Sequence, residues 1–276
     1  MNKLNTTLAF AAGIAAFGAM SVQAQVSGAA LVLKASNYNG AGSWTDASGN
    51  GNNGTYTGGV TTPTIVTGAT ANGSSAVDMF GDVGYFNLGT AISQASGYTI
   101  FAFVEPASDS GNGGGDGRNS LTGSSPSHSG TYGALEYDIY QGKQGALVEE
   151  TAALGTGSAV LPAGTSGFSS INMTVTTGAG NLNYRLNGAA DGSASAGSAF
   201  TQPIGMIGNN FGGGEGFDGL IAEIDIYTGV LTSGQISTQE AYLNSEYVTT
   251  VPEPSSWVML AGGLGTLVAV RRFRRS

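Results

Sequence analysis

The sequence predicts an all-β protein, a two-sheet antiparallel sandwich of the jelly-roll type. Short apolar segments with alternating polar residues recur along the chain, and clusters rich in glycine and asparagine separate them. Many short strands at such spacing are typical of sandwiches and jelly rolls. Apolar residues make up 41% of the chain, enough for a hydrophobic core, so the 47 glycines indicate turns rather than disorder.

Ten segments show the alternation expected of strands. Turn signals lie between them, for example ASGNG at 47–51 and LNG at 186–188. A chain of 276 residues could hold one large β domain or two ordinary ones. Strands resume directly after the Gly/Ser-rich stretch at 106–130, which favours a long loop within one domain over a linker. The predicted strands are residues 30–34, 76–79, 85–88, 99–104, 134–140, 145–149, 170–176, 182–186, 205–208 and 219–227.

One short helix is predicted near the C-terminal end of the domain. Thr232 and Gln235 have the spacing of a capping box, with Thr232 as the N-cap residue. Ile236, Leu243 and Tyr247 then lie on one helical face, which gives enough apolar surface to dock the helix on the sandwich.

Residues 1–24 have the features of a secretory signal peptide, which would form a short apolar helix. Lys3 supplies the positive charge, an apolar stretch runs from residue 8 to residue 20, and Val22-Gln23-Ala24 provides the small residues of a cleavage site. Cleavage is therefore predicted after Ala24. A retained N-terminal helix is the alternative, but the apolar run is short for one.

The segment 251–276 joins a proline turn, an apolar run and a basic cluster. Pro252, Glu253 and Pro254 cannot be helical throughout, so they form an extended, accessible segment. Residues 255–270 would span about 24 Å as a helix, which is short for a bilayer core of about 30 Å. Four arginines follow and would hold the end of this apolar helix on the cytoplasmic side: Arg271, Arg272, Arg274 and Arg275.

This order of elements closely resembles the PEP-CTERM sorting signal of exopolysaccharide-producing Gram-negative bacteria. The resemblance implies recognition and cleavage by an exosortase, a membrane cysteine protease, so that the tail is only a transient tether in the inner membrane. A retained C-terminal anchor is the alternative, because a short helix can stay in a locally thinned bilayer.

The segment between the two ends, residues 25–250, carries three motifs that resemble those of LamG-like, concanavalin A-like jelly rolls. In order they are WTDASGNGNNGT at 44–55, YTIFAFVEP at 98–106 and FDGLIAEIDIY at 217–227. Phe103 stands in the second motif where tryptophan is usual. The resemblance implies a two-sheet sandwich, and many members of the family bind glycans or act as adhesion modules.

The composition excludes several classes of function. There is no cysteine, so disulfides, thiol catalysis and thiolate metal sites are excluded. Residues 25–254 hold four basic residues against all 18 acidic ones, a formal charge of −14, and no nucleic-acid partner is expected. His128, the one histidine, lies in the Gly/Ser-rich stretch with nothing to orient it, so we expect neither catalysis by it nor a zinc or copper site.

Carboxylates are the remaining candidates for catalysis. Retaining β-glucanases of this fold carry the strand motif E-x-D-x-x-E, which supplies a nucleophile and an acid/base residue. EYDIYQ at 136–141 and EIDIYT at 223–228 come close, but both lack the final glutamate that would exchange the proton. We therefore interpret the acidic residues as neighbours on one strand face and expect no enzyme activity, with a glycoside hydrolase as the alternative.

Calcium is the metal that the sequence fits best, because hard cations need several oxygen ligands. The LamG-like resemblance implies a site in loops at the sheet edge, for which Asp46, Asn50 and Asp218 are the candidate ligands. Aspartate and asparagine also stabilise turns, and that alternative stays open. Aromatic residues near Asn-rich turns could form a glycan platform, although such rings are more often core; they are Tyr38, Trp44, Tyr56 and Phe211.

Together these features predict an exported surface or extracellular-matrix protein whose non-catalytic LamG-like module can bind polysaccharide. Its expected partners are an exosortase-type membrane protease, an extracellular polysaccharide and, before processing, the membrane that holds the C-terminal helix. The hydrolase and a purely structural matrix component are the competing predictions.

Overall fold

A computed structural model describes residues 23–79, 84–107, 118–124, 136–140, 143–148, 155–156, 168–175, 181–195, 203–209 and 216–248. Residues 1–22 of the predicted signal peptide, His128, Phe211 and the whole sorting tail at 251–276 lie outside these ranges. No helix within the ranges is long and apolar enough to cross a membrane.

The described residues form seventeen strands, one α-helix and a short 3-10 helix (Ala35–Asn37). Each of the ten predicted segments forms a strand, so the all-β prediction is confirmed. In chain order the strands are β1 (Leu31–Lys34), β2 (Ser43–Trp44), β3 (Gly54–Thr57), β4 (Thr64–Val66), β5 (Ala76–Asp78), β6 (Tyr85–Ile92), β7 (Tyr98–Pro106), β8 (Arg118–Ser120), β9 (Thr122–Gly123), β10 (Glu136–Tyr140), β11 (Lys143–Val148), β12 (Gly155–Thr156), β13 (Ser169–Val175), β14 (Asn181–Leu186), β15 (Ala189–Ser195), β16 (Ile204–Ile207) and β17 (Gly219–Thr228), and the helix is α1 (Ser233–Tyr247).

Two antiparallel sheets make the sandwich. The larger sheet has the strand order β15-β14-β13-β7-β17-β5-β4, and β1 pairs with β17 along residues 223–226, next to the β5 pairing at 220–221. The smaller sheet has the order β2-β3-β6-β16-β9. A further four-stranded sheet, β12-β11-β10-β8, contains the EYDIY segment at 136–140.

The core between the two sheets is packed around Trp44, which is fully buried. Its ring packs edge-on against Phe86 with the centroids 5.0 Å apart, and Tyr38 packs on both rings. The Trp44 Nε1–H donates to the carbonyl oxygen of Lys34 at 2.7 Å. Tyr38 and Trp44 are therefore core residues, whereas Tyr56 is half-buried and packs on Phe86 at 5.4 Å.

Helix α1 covers the outer face of the larger sheet. The Thr232 hydroxyl accepts from the backbone N–H of Gln235, and the Gln235 side chain accepts from the backbone N–H of Thr232, so the predicted capping box is confirmed. Leu243 and Tyr247 are buried in the cluster that covers this face, and Ile236 packs against it. Because both faces of the central strands are covered, polar groups on the outer face also become buried.

Candidate functional site

A cavity of about 550 Å³ lies on the outer face of the larger sheet, between α1 and strands β13 and β14. Its walls include Phe103 of β7, Arg185 of β14, and Glu240 and Asn244 of α1. This volume falls within the range of about 300–1,000 Å³ that is usual for small-molecule sites. Aromatic, charged and amide side chains therefore meet at one concave surface.

Stacked aromatic rings form the apolar wall of the cavity. The rings of Phe103 and Phe168 stack with centroids 5.4 Å apart and an interplanar angle of 6°. Tyr247 of α1 also stacks on Phe103, at 4.9 Å and 20°. Phe103 is buried in this stack, whereas Phe168 is half-buried and leaves ring surface on which a ligand can pack.

A bidentate ion pair forms the charged wall. Arg185 donates to Glu240 from Nε to Oε1 at 2.6 Å and from Nη2 to Oε2 at 2.9 Å, and Nη2 also donates to the carbonyl oxygen of Gly188. The hydrogen bond to Glu240 raises the pKa of the Arg185 guanidinium. The ion pair is planar and has no net charge, and its hydrogen-bond donors and acceptors lie side by side.

The turn between β14 and β15 supplies a third wall. Asn187 and Gly188 have φ values of +49° and +79°, as a two-residue hairpin of the Asn-Gly type requires. The Asn187 side-chain oxygen accepts from the backbone N–H of Ser170 at 2.9 Å. Ser170 also lines the cavity and is 8% exposed, and its buried hydroxyl has no hydrogen-bond partner among the described residues. A buried hydroxyl without a partner is unusual, because it loses its bonds to water and gains none in return.

The two acidic residues of EIDIYT lie beneath α1, close to the cavity but outside its walls. Glu223 and Asp225 are both fully buried on β17. Glu223 Oε2 accepts from the hydroxyls of Tyr242, at 3.3 Å, and Tyr247, and lies 3.9 Å from Lys34 Nζ. These contacts hold the glutamate in place, and a polysaccharide chain would reach it only if α1 moved.

The two buried carboxyls are harder to ionise than exposed ones, chiefly because burial disfavours the charged form. Burial raises the pKa of Glu223, and the nearby Lys34 and the Tyr247 hydroxyl offset part of that rise. Burial and the adjacent Glu223 raise the pKa of Asp225 well above its usual value. Gln239 donates to Asp225 Oδ2 at 2.6 Å. Glu223 and Asp225 both lie under α1, which is consistent with the prediction that they share one strand face. Their burial was not predicted.

The first candidate calcium ligand, Asp46, organises a turn. Its carboxylate accepts from the backbone N–H groups of Val32 at 3.0 Å, Ser48 at 2.8 Å and Asn52 at 3.0 Å, and from the Ser48 hydroxyl at 2.8 Å. Burial alone would raise the pKa of Asp46, but these hydrogen bonds outweigh it and lower the pKa. The turn-stabilising alternative thus has direct geometric support.

The other two candidate ligands have different surroundings. Asn50 lies in the same turn as Asp46, and its Nδ2 donates to the carbonyl oxygen of Ala29 at 2.8 Å. Asp218 lies before β17, where burial and the charge of Asp78 raise its pKa. No group of three or more acidic or histidine side chains that could hold a metal ion occurs among the described residues. Calcium binding stays a prediction.

The Asp46 turn yields a pH-dependent prediction. Asp46→Asn is expected to lower the free energy of unfolding by about 2 kcal/mol at pH 7, because charge-assisted hydrogen bonds are lost. A lowered folded-state pKa stabilises the fold above the unfolded-state pKa, and this contribution disappears as the pH falls through the folded-state pKa. Urea unfolding of both proteins at pH 7 and in acid measures it; an equal difference at the two pH values would contradict the prediction.

The cavity could not be predicted from the sequence, because the residues that form it are far apart along the chain. Arg185 and Glu240 are 55 residues apart, and Phe103 lies on β7 whereas Phe168 directly precedes β13. One signal was available, since Arg185 is one of only four basic residues in 25–254 and directly precedes the LNG turn.

The other acidic motif, EYDIYQ, has its Glu136 and Asp138 on β10, within the strand predicted there.

The fold and the tail place the chain in known families. Residues 80–237, more than half of the chain, match the concanavalin A-like lectin/glucanases superfamily, and the chain belongs to that superfamily. Residues 250–275 match the PEP-CTERM protein-sorting motif. Both resemblances found in the sequence are thereby confirmed, and together they define an exported protein with a C-terminal sorting signal.

Solved structures with the same fold come from carbohydrate-active and toxin proteins. Domain 4 of AbnA, a GH43 extracellular arabinanase from Geobacillus stearothermophilus in complex with arabinotriose, is 17% identical with a TM-score of 0.56, over 77% of this chain and 98% of that domain. A mutant of a GH54 α-L-arabinofuranosidase, soaked with 4-nitrophenyl α-L-arabinofuranoside, is 14% identical with a TM-score of 0.57, over 75% of this chain and 51% of that one.

The binding domain of Paraclostridial Mosquitocidal Protein 1 is 13% identical with a TM-score of 0.52, over 77% of this chain and 52% of that one. The chain thus spans about half the length of the arabinofuranosidase and of the toxin domain. A search of curated protein sequences found no match. At these identities the likeness concerns the fold.

Proposed function

We propose that this protein is an exported, non-catalytic module that binds polysaccharide through the cavity under α1, at the cell surface or in the extracellular matrix. The observation that carries the proposal is the meeting of Phe168, the Arg185–Glu240 pair and Ser170 at one concave surface. A few polar groups converging on an aromatic wall is the usual composition of a small-ligand site.

The chemistry of these groups suits a sugar. The ring surface of Phe168 can pack against the apolar C–H face of a pyranose or furanose ring. Sugar hydroxyls both donate and accept, and the Arg185–Glu240 pair offers a donor and an acceptor in one plane. Ser170 lines the cavity as well, and a ligand that reaches its buried hydroxyl would supply the partner that it lacks among the described residues.

Charge and fold narrow the ligand class. Residues 25–254 carry a formal charge of −14, which repels polyanions, so an uncharged polysaccharide fits better than a polyuronate. The arabinanase domain of the same fold was solved with arabinotriose, which supports an oligosaccharide as a ligand for this type of sandwich. Neutral plant or bacterial polysaccharides, arabinan among them, are therefore the first probes to use.

Variants of the cavity wall test the proposal. Phe168→Ala and Arg185→Lys are each expected to weaken binding to the best neutral polysaccharide by about tenfold or more, because one loses the ring and the other loses the bidentate fork. Isothermal titration calorimetry on folded protein measures the effect. Tyr56→Ala removes a half-buried ring of the smaller sheet that is itself a candidate glycan platform from the sequence; it should bind as the wild type does if the cavity is the site.

Three further outcomes would contradict the proposal. Hydrolysis of β-glucan or arabinan that is lost in Glu223→Gln would favour a glycoside hydrolase. No affinity for any polysaccharide, with and without added calcium, would favour a purely structural matrix component. Binding that both cavity variants retain would show that another surface recognises the ligand.

The sorting tail gives a separate proposal, that an exosortase-type protease removes it. In cells that contain the protease, the intact mass of the exported protein should correspond to loss of the residues beyond Pro254, and with them of Arg271, Arg272, Arg274 and Arg275. In cells without the protease, the full tail should stay on the protein in the membrane fraction. Retention of these arginines in every fraction of both strains would show a permanent anchor instead.

A further inference from the structure

The segment Gln25 to Ala30 lies across the outer face of the larger sheet and is held at several points. The backbone N–H of Val26 donates to Gln239 Oε1 at 2.9 Å, and the Tyr227 hydroxyl donates to the carbonyl oxygen of Val26 at 2.8 Å. The backbone N–H of Ala30 donates to the carbonyl oxygen of Ile226 at 2.7 Å. The segment is therefore tied to both β17 and α1.

The side chain of Gln25 ends on the buried acidic pair. Its Nε2 donates to Asp225 Oδ1 at 3.1 Å and lies 3.5 Å from Glu223 Oε1. Both acceptors are carboxyl oxygens without solvent exposure, so this amide satisfies groups that water does not reach. The terminal nitrogen of Gln25 is thus part of the same hydrogen-bond network as α1.

Gln25 is also the residue that follows the predicted signal-peptide cleavage site, Ala24. An N-terminal glutamine can cyclise to pyroglutamate: the α-amino nitrogen attacks Cδ, a new C–N bond forms and the Cδ–Nε2 bond breaks. The attacking nitrogen gives up one proton, and Nε2 leaves with it as ammonia. The reaction needs no oxidant or reductant, but the side chain must fold back onto its own amine.

We propose that Gln25 is the N-terminal residue of the mature protein and that its contacts with Glu223 and Asp225 protect it from cyclisation to pyroglutamate. The docked side chain points its Nε2 at the two carboxyls, so ring closure requires the amide to leave them first. The rate of cyclisation is then reduced to the fraction of molecules in which Gln25 is undocked. Cyclisation would also remove the nitrogen that bonds the acidic pair.

The test follows the loss of ammonia by intact-mass spectrometry of the purified exported protein. Freshly isolated protein should begin at an uncyclised Gln25, and its cyclisation in buffer should be about tenfold slower than in urea, because docking holds the amide only in the folded state. An N-terminus at another residue, complete cyclisation on isolation, or equal rates in buffer and urea would each overturn the proposal.

A variant pair separates docking from general folding effects. Tyr227→Phe removes the hydroxyl that holds the Val26 carbonyl and should speed cyclisation in buffer by about fivefold, with the urea rate unchanged. Tyr38→Phe is the matched control, since its hydroxyl bonds the carbonyl of Pro63 in a distant loop, and it should leave the rate as in the wild type. Acceleration by both variants, or by neither, would show that the docked segment does not protect Gln25.

Discussion

Replacing Trp44 with alanine is expected to lower the free energy of unfolding by about 4 kcal/mol, because its large ring is fully buried and leaves a cavity. The substitution removes the edge-on contact with Phe86 and the hydrogen bond to the Lys34 carbonyl oxygen, which is then left without its donor. Since a domain of this kind has about 5–15 kcal/mol of stability in total, the variant should unfold at much lower urea concentrations.

Circular dichroism should follow this unfolding rather than fluorescence, because the other tryptophan, Trp257, lies in the sorting tail. Tyr56→Ala is the matched control: its ring packs on the same Phe86 but is only half-buried, so its loss should cost about 1–2 kcal/mol. A Trp44 variant as stable as the Tyr56 variant would show that the ring is not central to the core.

Strands whose inward residues are apolar could be predicted from the sequence, and strands with small inward residues could not. Strand β7 has the sequence YTIFAFVEP, whose apolar residues predict a strand and are buried either in the core or under α1. Strand β3 reads GTYT and places Gly54 against Phe86; a Cβ on Gly54 would lie 3.1 Å from the Phe86 Cβ. At Gly54 the backbone itself packs closely against Phe86, so β3 lacks the alternation of apolar side chains by which a strand is predicted.

The site was harder to predict than the fold, because it depends on which segments pack on the outer face of the larger sheet. The EIDIYT segment was interpreted correctly as a strand, but two carboxylates on one strand usually indicate a solvent-exposed face. That face becomes interior through the packing of α1, which begins after β17 and folds back over it, and of the segment at residues 25–30. The same packing brings Glu240 to Arg185, and nothing in either local sequence predicts that pair.

Glu223 ties α1 to the larger sheet, because its buried carboxylate accepts from the hydroxyls of Tyr242 and Tyr247 on that helix. Glu223→Ala is expected to lower the free energy of unfolding by about 3–5 kcal/mol, because it leaves the hydroxyls of Tyr242 and Tyr247 without this acceptor and Lys34 without its ion-pair partner. Glu223→Gln, which keeps one acceptor oxygen, should cost much less. Urea unfolding at pH 7 distinguishes the two, and an alanine variant no less stable than the glutamine variant would contradict the assignment.

The pH dependence of stability provides the second test of this residue. The pKa values of Glu223 and Asp225 are raised in the folded protein, so the folded state keeps protons that the unfolded chain releases. Their contribution therefore favours the fold most below the unfolded-state pKa of about 4 and is lost as the pH rises towards the folded-state values. This sign is opposite to that of Asp46, whose folded-state pKa is lowered.

Comparison of the wild type with Glu223→Gln isolates that contribution from the other acidic residues, which both proteins share. The variant keeps only one carboxyl of the pair, that of Asp225, which therefore no longer titrates beside a second acid. We expect the wild type to lose more stability than Glu223→Gln between pH 4 and pH 8. Parallel curves for the two proteins over this range would contradict the prediction, because Glu223 would then add nothing to the pH dependence of stability.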